Sequence, residues 1–236
     1  MEKKNTETPE KVDFDKFANQ YEELLDEQLD FFGEENSYFA EYKIKIVKDT
    51  IGFAPRNILE FGCGIGRNLK HLSDYFPGAK ITGTDISSKS LDIARKENPE
   101  VNLFLLEENE IQKYLNRFDL IFISCVFHHI HPSERENSIS IIKRMLKQNG
   151  VAYIFEHNPY NPVTKYIVRN CAWDTDAILL NMKESVELMK FAKFEISEKN
   201  YTLFFPKSLN SLRFLETYIS KIPMGGQYYV KGIKKE

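Results

Sequence analysis

The chain has little of what several large protein classes need. It has three cysteines in 236 residues, Cys63, Cys125 and Cys171. They are odd in number, far apart and without C-x-x-C spacing, so neither a disulfide framework nor a cysteine zinc or redox motif is expected, and reduced thiols of a cytoplasmic protein are. No apolar run approaches the ~18 residues of a membrane span, and the N-terminus carries charges where a signal peptide would be apolar. Neither sign of charge dominates. The 32 basic and 35 acidic residues are interspersed and sum to −3, so no strong field of either sign is expected and nothing recommends nucleic acid as the main partner; no membrane partner is expected either. No internal repeat is present. At this length the chain can bury one substantial core, and a single domain with decorations is expected over 13–236.

Residues 1–12 are polar or charged and are expected to form a mobile tail. From Phe14 to Asp30, Phe14, Phe17, Tyr21, Leu24, Leu25 and Leu29 recur at steps of three and four, predicting a helix. A second helix is expected over Tyr38–Ile51, with Ser37 as its cap. Beyond Pro55, short apolar runs alternate with helical patterns, the sign of successive β-α units. The expected strands are Asn57–Phe61, Lys80–Thr84, Val101–Leu106, Phe118–Ser124 and Val151–Phe155. Asn149-Gly150 is expected to close the helix before the fifth strand in left-handed fashion. After the turn Asn158–Pro162 come helices near Val163–Asn170 and Glu184–Phe191, then an antiparallel pair, Ile196–Phe205 and Gln227–Ile233.

Glu60-Phe61-Gly62-Cys63-Gly64-Ile65-Gly66 lies where a strand turns into a helix, and its glycines let the backbone bend tightly and approach a ligand. Nineteen residues after Gly66, Asp85 ends the second strand, where α/β nucleotide sites place an acid for ribose hydroxyls. A dinucleotide fingerprint G-x-G-x-x-G would need glycine where Arg67 stands, so a nicotinamide oxidoreductase is the weaker alternative.

The stretches ILEFGCGIGRN, ITGTDIS, FDLIFISCVFHHI and MLKQNGVAYIFE, covering about Ile58 to Glu156, resemble the successive motifs of class I S-adenosylmethionine-dependent methyltransferases. The resemblance implies a Rossmann-like, seven-stranded, mostly parallel sheet with an antiparallel C-terminal strand, helices on both faces and an N-terminal helical lid. The corresponding divisions are the lid at 13–52, the cofactor-binding core at 56–157, and an acceptor-side cap with the C-terminal strands at 158–236. It further implies S-adenosylmethionine as cofactor. Gly62, Cys63 and Gly64 would back its methionine part, Glu60 would hold the amino group, and Asp85 would take the ribose hydroxyls. Ile86 would lie against adenine, with Ser124 also in the cofactor set. The adenine-side acid falls on Glu107 or Glu108, and Tyr21 of the lid would point at the methionine end.

Methyl transfer from a sulfonium is an in-line displacement, so the protein supplies alignment and a deprotonated nucleophile. His128, His129 and His131 follow the fourth strand and Glu156-His157-Asn158 ends the fifth, on the side of an open sheet where ligands bind. His129 and His157 are therefore the candidate bases. A metal site from His128, His131, Glu156 and His157 lacks any recognised ligand spacing, and none is expected. Asn158-Pro159-Tyr160 is like the loop of DNA-amine methyltransferases but follows the wrong strand. The C-terminal segments EHNPYNPVTKYIVRNCAWDTDA, FFPKSLNSLRFLE and PMGGQYYVKG are more loosely similar to sugar and polysaccharide-pathway methyltransferases. That likeness implies O-methylation of a small, sugar-bearing or nucleotide-sugar acceptor, with Tyr160, Trp173, Asp174 and Asp176 near it. An N-methyltransferase of small amines and a non-catalytic cofactor-binding partner protein remain alternatives.

Overall fold

The computed structural model describes residues 12, 15, 36–172, 174–205 and 207–235. The expected first helix, with Phe14, Phe17 and Tyr21, lies outside the described residues apart from Asp15, as does Trp173. Seven strands form one sheet: β1 Asn57–Phe61, β2 Lys80–Asp85, β3 Asn102–Leu105, β4 Phe118–Ser124, β5 Leu146–His157, β6 Phe194–Thr202 and β7 Gln227–Lys234. Their spatial order is β3-β2-β1-β4-β5-β7-β6. Only β7 runs against its neighbours, pairing antiparallel with both β5 and β6. The expected mixed sheet is thus the observed one.

The helices are α1 Asn36–Thr50, α2 Arg67–Tyr75, α3 Ser88–Glu97, α4 Glu108–Lys113, α5 Pro132–Met145, α6 Pro162–Asn170, α7 Met182–Phe191 and α8 Glu216–Ile219. They cover both faces of the sheet, because strands buried on both sides need apolar partners above and below. On one face Ile44, Val47 and Ile51 of the α1 region, Leu69 and Leu72 of α2, and Leu91 of α3 pack on Ile58, Leu120, Phe122 and Tyr153. On the other, Ile139, Ile142 and Met145 of α5 and Val186, Leu188 and Met189 of α7 pack on Leu59, Ile121, Ile123 and Ile154.

Two local expectations fail. Ser37 lies inside α1 rather than capping it. Asn149 does adopt a left-handed conformation, with φ 60°, but it does not end the helix. The helix stops at Met145, because Leu146 is already extended (φ −71°, ψ 144°) and pairs with Phe118 of β4. The next pairing is Leu120 with Val151, so Lys147–Gly150 form an irregularity in the register that contains the left-handed Asn149.

The parallel register aligns the carboxyl ends. Phe61 pairs with Thr84 and Ile123, and Ser124 pairs with Phe155. The residues that follow β1, β2, β4 and β5 therefore meet along one edge. The order of the strands reverses between β1 and β4, which opens a crevice there.

Candidate functional site

β1 ends at Phe61 and the chain turns at Gly62, whose φ is 72°. The Gly62 and Cys63 N–H groups donate to the Thr84 carbonyl of β2 at 2.8 and 3.0 Å, tying the loop to the neighbouring strand. A Cβ on Gly62 would lie 2.5 Å from Val126 Cγ2. At Gly64, φ is 53° and the space a Cβ would take is open, so the loop presents bare backbone to the crevice. Cys63 turns the other way. Its thiol packs beside Gly83 in the core, where burial pushes its pKa up.

The tip of β2 faces this loop. Asp85 accepts from Gly64 N–H through Oδ2 at 2.7 Å and from Ser87 N–H through Oδ1 at 2.9 Å. Burial raises its pKa and outweighs those two bonds, which hold the charged form. Each oxygen keeps a further lone pair for a hydroxyl donor. Ile86 next to it is 55% exposed, an apolar surface at the crevice mouth. At the end of β3, Glu107 is exposed, whereas Glu108 is engaged by Gln112 at 2.5 Å and Arg144 at 3.5 Å.

Glu60 is 1% exposed at the end of β1. Its Oε1 accepts from Asn68 Nδ2 at 2.5 Å, while Oε2 is buried with no hydrogen-bond partner. A buried, half-satisfied carboxylate calls for a cationic donor, and desolvation accordingly pushes the Glu60 pKa up to about 8. Bare backbone at Gly64, an acid at the neighbouring strand tip and an orphaned carboxylate oxygen fit the amino acid and ribose ends of S-adenosylmethionine.

The raised pKa of Glu60 sets a pH dependence. The folded chain keeps a proton that the unfolded chain releases near 4.5, so this group's contribution to stability is present below pH 4.5 and is lost as pH rises towards 8. The slope is at most about 1.4 kcal/mol per pH unit. Glu60→Gln mimics the protonated form and should flatten it, which urea unfolding of both proteins between pH 5 and pH 9 measures. Parallel slopes would contradict the assignment.

On the other side of the crevice, Ser124 Oγ accepts from Lys43 Nζ at 2.6 Å. The next residue, Cys125, has φ 58°. Burial raises its thiol pKa, but His157 and Lys43 outweigh it and bring the value down to about 7. Gln227 Nε2 lies 3.5 Å from its sulfur. A 3-10 turn at Phe127–His129 then swings the two adjacent imidazoles into one cluster, with ring centroids 4.1 Å apart. Glu156, fully buried on β5, holds that turn. Its Oε1 accepts from the Val126 and Phe127 N–H groups at 3.0 and 2.7 Å, and its Oε2 is 2.6 Å from His128 Nδ1. Burial works against charge on both partners, yet their mutual attraction lowers the Glu156 pKa and raises that of His128.

The segment after α6 closes the cluster. Arg135 of α5 donates to the carbonyls of Phe127, Ile130 and Ile178, and Ile178 N–H donates to the His128 carbonyl, docking this segment on the 3-10 turn. Asp174 Oδ1 then lies 3.6 Å from His128 Nε2 and 3.3 Å from His129 Nε2. Asp176 Oδ1 lies 3.3 Å from His129 Nδ1 and its Oδ2 accepts from Val12 N–H at 2.8 Å. Burial alone would raise the Asp174 pKa; its hydrogen bonds to His128 and His129 hold it well below the carboxylate range. His157 sits beside His128, with centroids 5.1 Å apart; burial opposes its charge, but Cys125 raises its pKa.

The structure therefore gathers Glu60, Gly62, Gly64, Asp85, Ile86, Ser124, His129 and His157 along one sheet edge, with Glu107 at the end of β3. It leaves His131 outside, exposed and capping α5 through Ser133 N–H. The turn at Asn158 is structural, since its amide donates to the carbonyls of Pro223 and Gly225. Sequence reasoning missed Lys43, Asn68 and the hub role of Glu156. Lys43 had a signal, because Ala40, Lys43, Ile44 and Val47 share the buried stripe of α1.

The family described as methyltransferase domain matches residues 59–152. A demethylmenaquinone methyltransferase of Thermotoga maritima is 28% identical over 148 residues, 63% of this chain and 61% of that protein. A malonyl-[acyl-carrier protein] O-methyltransferase of Legionella pneumophila is 38% identical over 78 residues, 32% of this chain and 28% of that one. The chain thus spans about three fifths or less of the length of these curated relatives. A crystal structure of an S-adenosylmethionine-dependent methyltransferase from Archaeoglobus fulgidus superposes with a TM-score of 0.68 at 14% identity, over 91% of this chain and all of that one. A phosphoethanolamine N-methyltransferase of Haemonchus contortus gives 0.64 at 18%, over 95% of this chain and 60% of that one. The chain has the class I methyltransferase fold. Among the described residues no helix is long and apolar enough to cross a membrane.

Proposed function

We propose that this chain transfers the methyl group of S-adenosylmethionine to a hydroxyl of a small polar metabolite, with a sugar-bearing acceptor the preferred class. The observation that carries the cofactor part is the orphaned, buried Oε2 of Glu60 beside the bare backbone of Gly64, with Asp85 opposite. When bound, the cofactor supplies an electrophilic methyl on a sulfonium. Gly62 and Gly64 leave room for its amino acid part, Glu60 holds the ammonium, and Asp85 accepts from the ribose hydroxyls. Ile86 packs on adenine, Glu107 lies at its edge, and Ser124 faces the sulfonium side. Tyr21 keeps its proposed place over the methionine end from a segment outside the described residues.

The hydroxyl reading rests on the imidazoles at the ends of β4 and β5. A hydroxyl, unlike a neutral amine, must lose a proton as the bond forms, and His129 or His157 takes it. Support for a sugar comes from the buried carboxylates Asp174 and Asp176, which accept from hydroxyls, and from Tyr160, which is 60% exposed. Release of S-adenosylhomocysteine, followed over a panel of nucleotide sugars, glycans and small amines, tests the reading. With the best acceptor, His157→Ala and His129→Ala should each lower turnover about 10²-fold or more, with cofactor affinity within about twofold of wild type. If both variants turn over normally, the acceptor is a neutral amine and the hydroxyl reading fails.

A further inference from the structure

The acceptor-side cluster holds more negative charge than the methyl-transfer chemistry uses. Glu156, Asp174 and Asp176 converge on three imidazoles, and the ion pairs of Asp174 and Asp176 among the described residues are with His128 and His129. One donor atom each from His128, His157 and Asp174 lies within 4.8 Å of the other two. We propose that these three residues form a binding site for a divalent transition metal ion of the zinc or ferrous class, on the acceptor side of the crevice.

The donor set of two imidazole nitrogens and one carboxylate oxygen is the kind that leaves coordination positions open to a substrate oxygen. Metal–ligand distances of about 2.0–2.2 Å require ligand atoms about 3 to 3.5 Å apart. His128 Nε2 and Asp174 Oδ1, at 3.6 Å, already stand at nearly that separation, and His157 offers a nitrogen within 4.8 Å of both. His128 is also oriented for the task. Glu156 accepts from Nδ1–H, which leaves Nε2, turned towards Asp174, as the nitrogen that can bind an ion once it gives up its proton, the usual carboxylate–imidazole support of a metal ligand. Glu156 is itself fixed by two backbone N–H groups. Without an ion, His128 stands between the two carboxylates, 2.6 Å from Glu156 and 3.6 Å from Asp174.

The ion site stands independently of methyl transfer. One consequence does rest on that reading. With His157 and Asp174 engaged by the ion, a bound acceptor hydroxyl would lose its proton to His129, which Asp176 orients through Nδ1.

The test uses the full chain, stripped with a chelator and titrated with Zn²⁺ by calorimetry and with Co²⁺ by visible absorption. The expected result is one equivalent of Zn²⁺ and a Co²⁺ spectrum with intense d–d bands that zinc displaces. Asp174→Asn and His157→Ala should weaken Zn²⁺ binding at least about 100-fold, whereas His131→Ala should leave it unchanged. Binding of S-adenosylhomocysteine by the same samples reports that the variants are folded, and keeps failure of the ion site distinct from failure of the cofactor reading. The proposal is overturned if the wild-type chain takes up no stoichiometric Zn²⁺, or if Asp174→Asn and His157→Ala bind it as the wild type does.

Discussion

Asp85→Ala is expected to weaken S-adenosylmethionine binding by about 1 to 3 kcal/mol, roughly fivefold to 150-fold in Kd. The effect has two sources. The carboxylate is the acceptor aimed from the tip of β2 at the ribose position. It also holds Gly64 N–H and Ser87 N–H at 2.7 and 2.9 Å, so its loss frees the cradle as well as a contact. Asp85→Asn keeps one acceptor oxygen and should fall between the two. Calorimetry on all three proteins, with urea unfolding to report the loop-holding share, separates the sources. Wild-type affinity in Asp85→Ala would contradict the assignment.

Glu156→Gln should cost the most stability of any single polar change in the site, about 3 to 5 kcal/mol. Glu156 is fully buried and its oxygens serve Val126 N–H, Phe127 N–H and His128 Nδ1. The amide can keep the backbone donors, but it removes the charge that His128 pairs with in a fully buried position. Breaking a buried pair by altering one member leaves the other desolvated, and Asp174, 3.6 Å from Nε2, compensates His128 only in part. The readout is the urea midpoint in metal-free buffer, and a midpoint equal to wild type would show that the 3-10 turn does not depend on this carboxylate.

The parts of this molecule that were legible in sequence are those whose signal is local. β1 and β4 run over the expected residues, Asn57–Phe61 and Phe118–Ser124, because each is a short apolar run with polar residues or a glycine turn at its ends. The Gly62–Gly66 loop and Asp85 are readable for the same reason: a turn without side chains between a strand and a helix has few other uses. The failures involve partners distant in sequence. Leu146 looks like the last turn of a helix, and only its pairing with Phe118 makes it a strand residue. Ile196–Phe205 looked like one aromatic strand; β6 instead starts at Phe194 and stops at Thr202, where Glu216 accepts from the N–H groups of Leu203 and Phe204 and turns the chain away. His128 and His129, adjacent in sequence, could not be assigned different surroundings without the 3-10 turn and the Asp174–Asp176 segment docked on it by Arg135. Charges that meet across 28 to 47 residues leave no periodic trace.

The account depends most on the cradle between β1 and β2, and its most direct test is titration of the wild-type chain with S-adenosylmethionine, S-adenosylhomocysteine and NAD. One equivalent of each sulfur compound should bind, with S-adenosylmethionine affinity rising from pH 6 to about pH 7.5 as Glu60 gives up its proton to receive the ammonium. NAD should not compete. No heat from either sulfur compound, or saturable binding of NAD in their place, would contradict the claim that this loop and these two carboxylates were shaped for a sulfonium nucleoside.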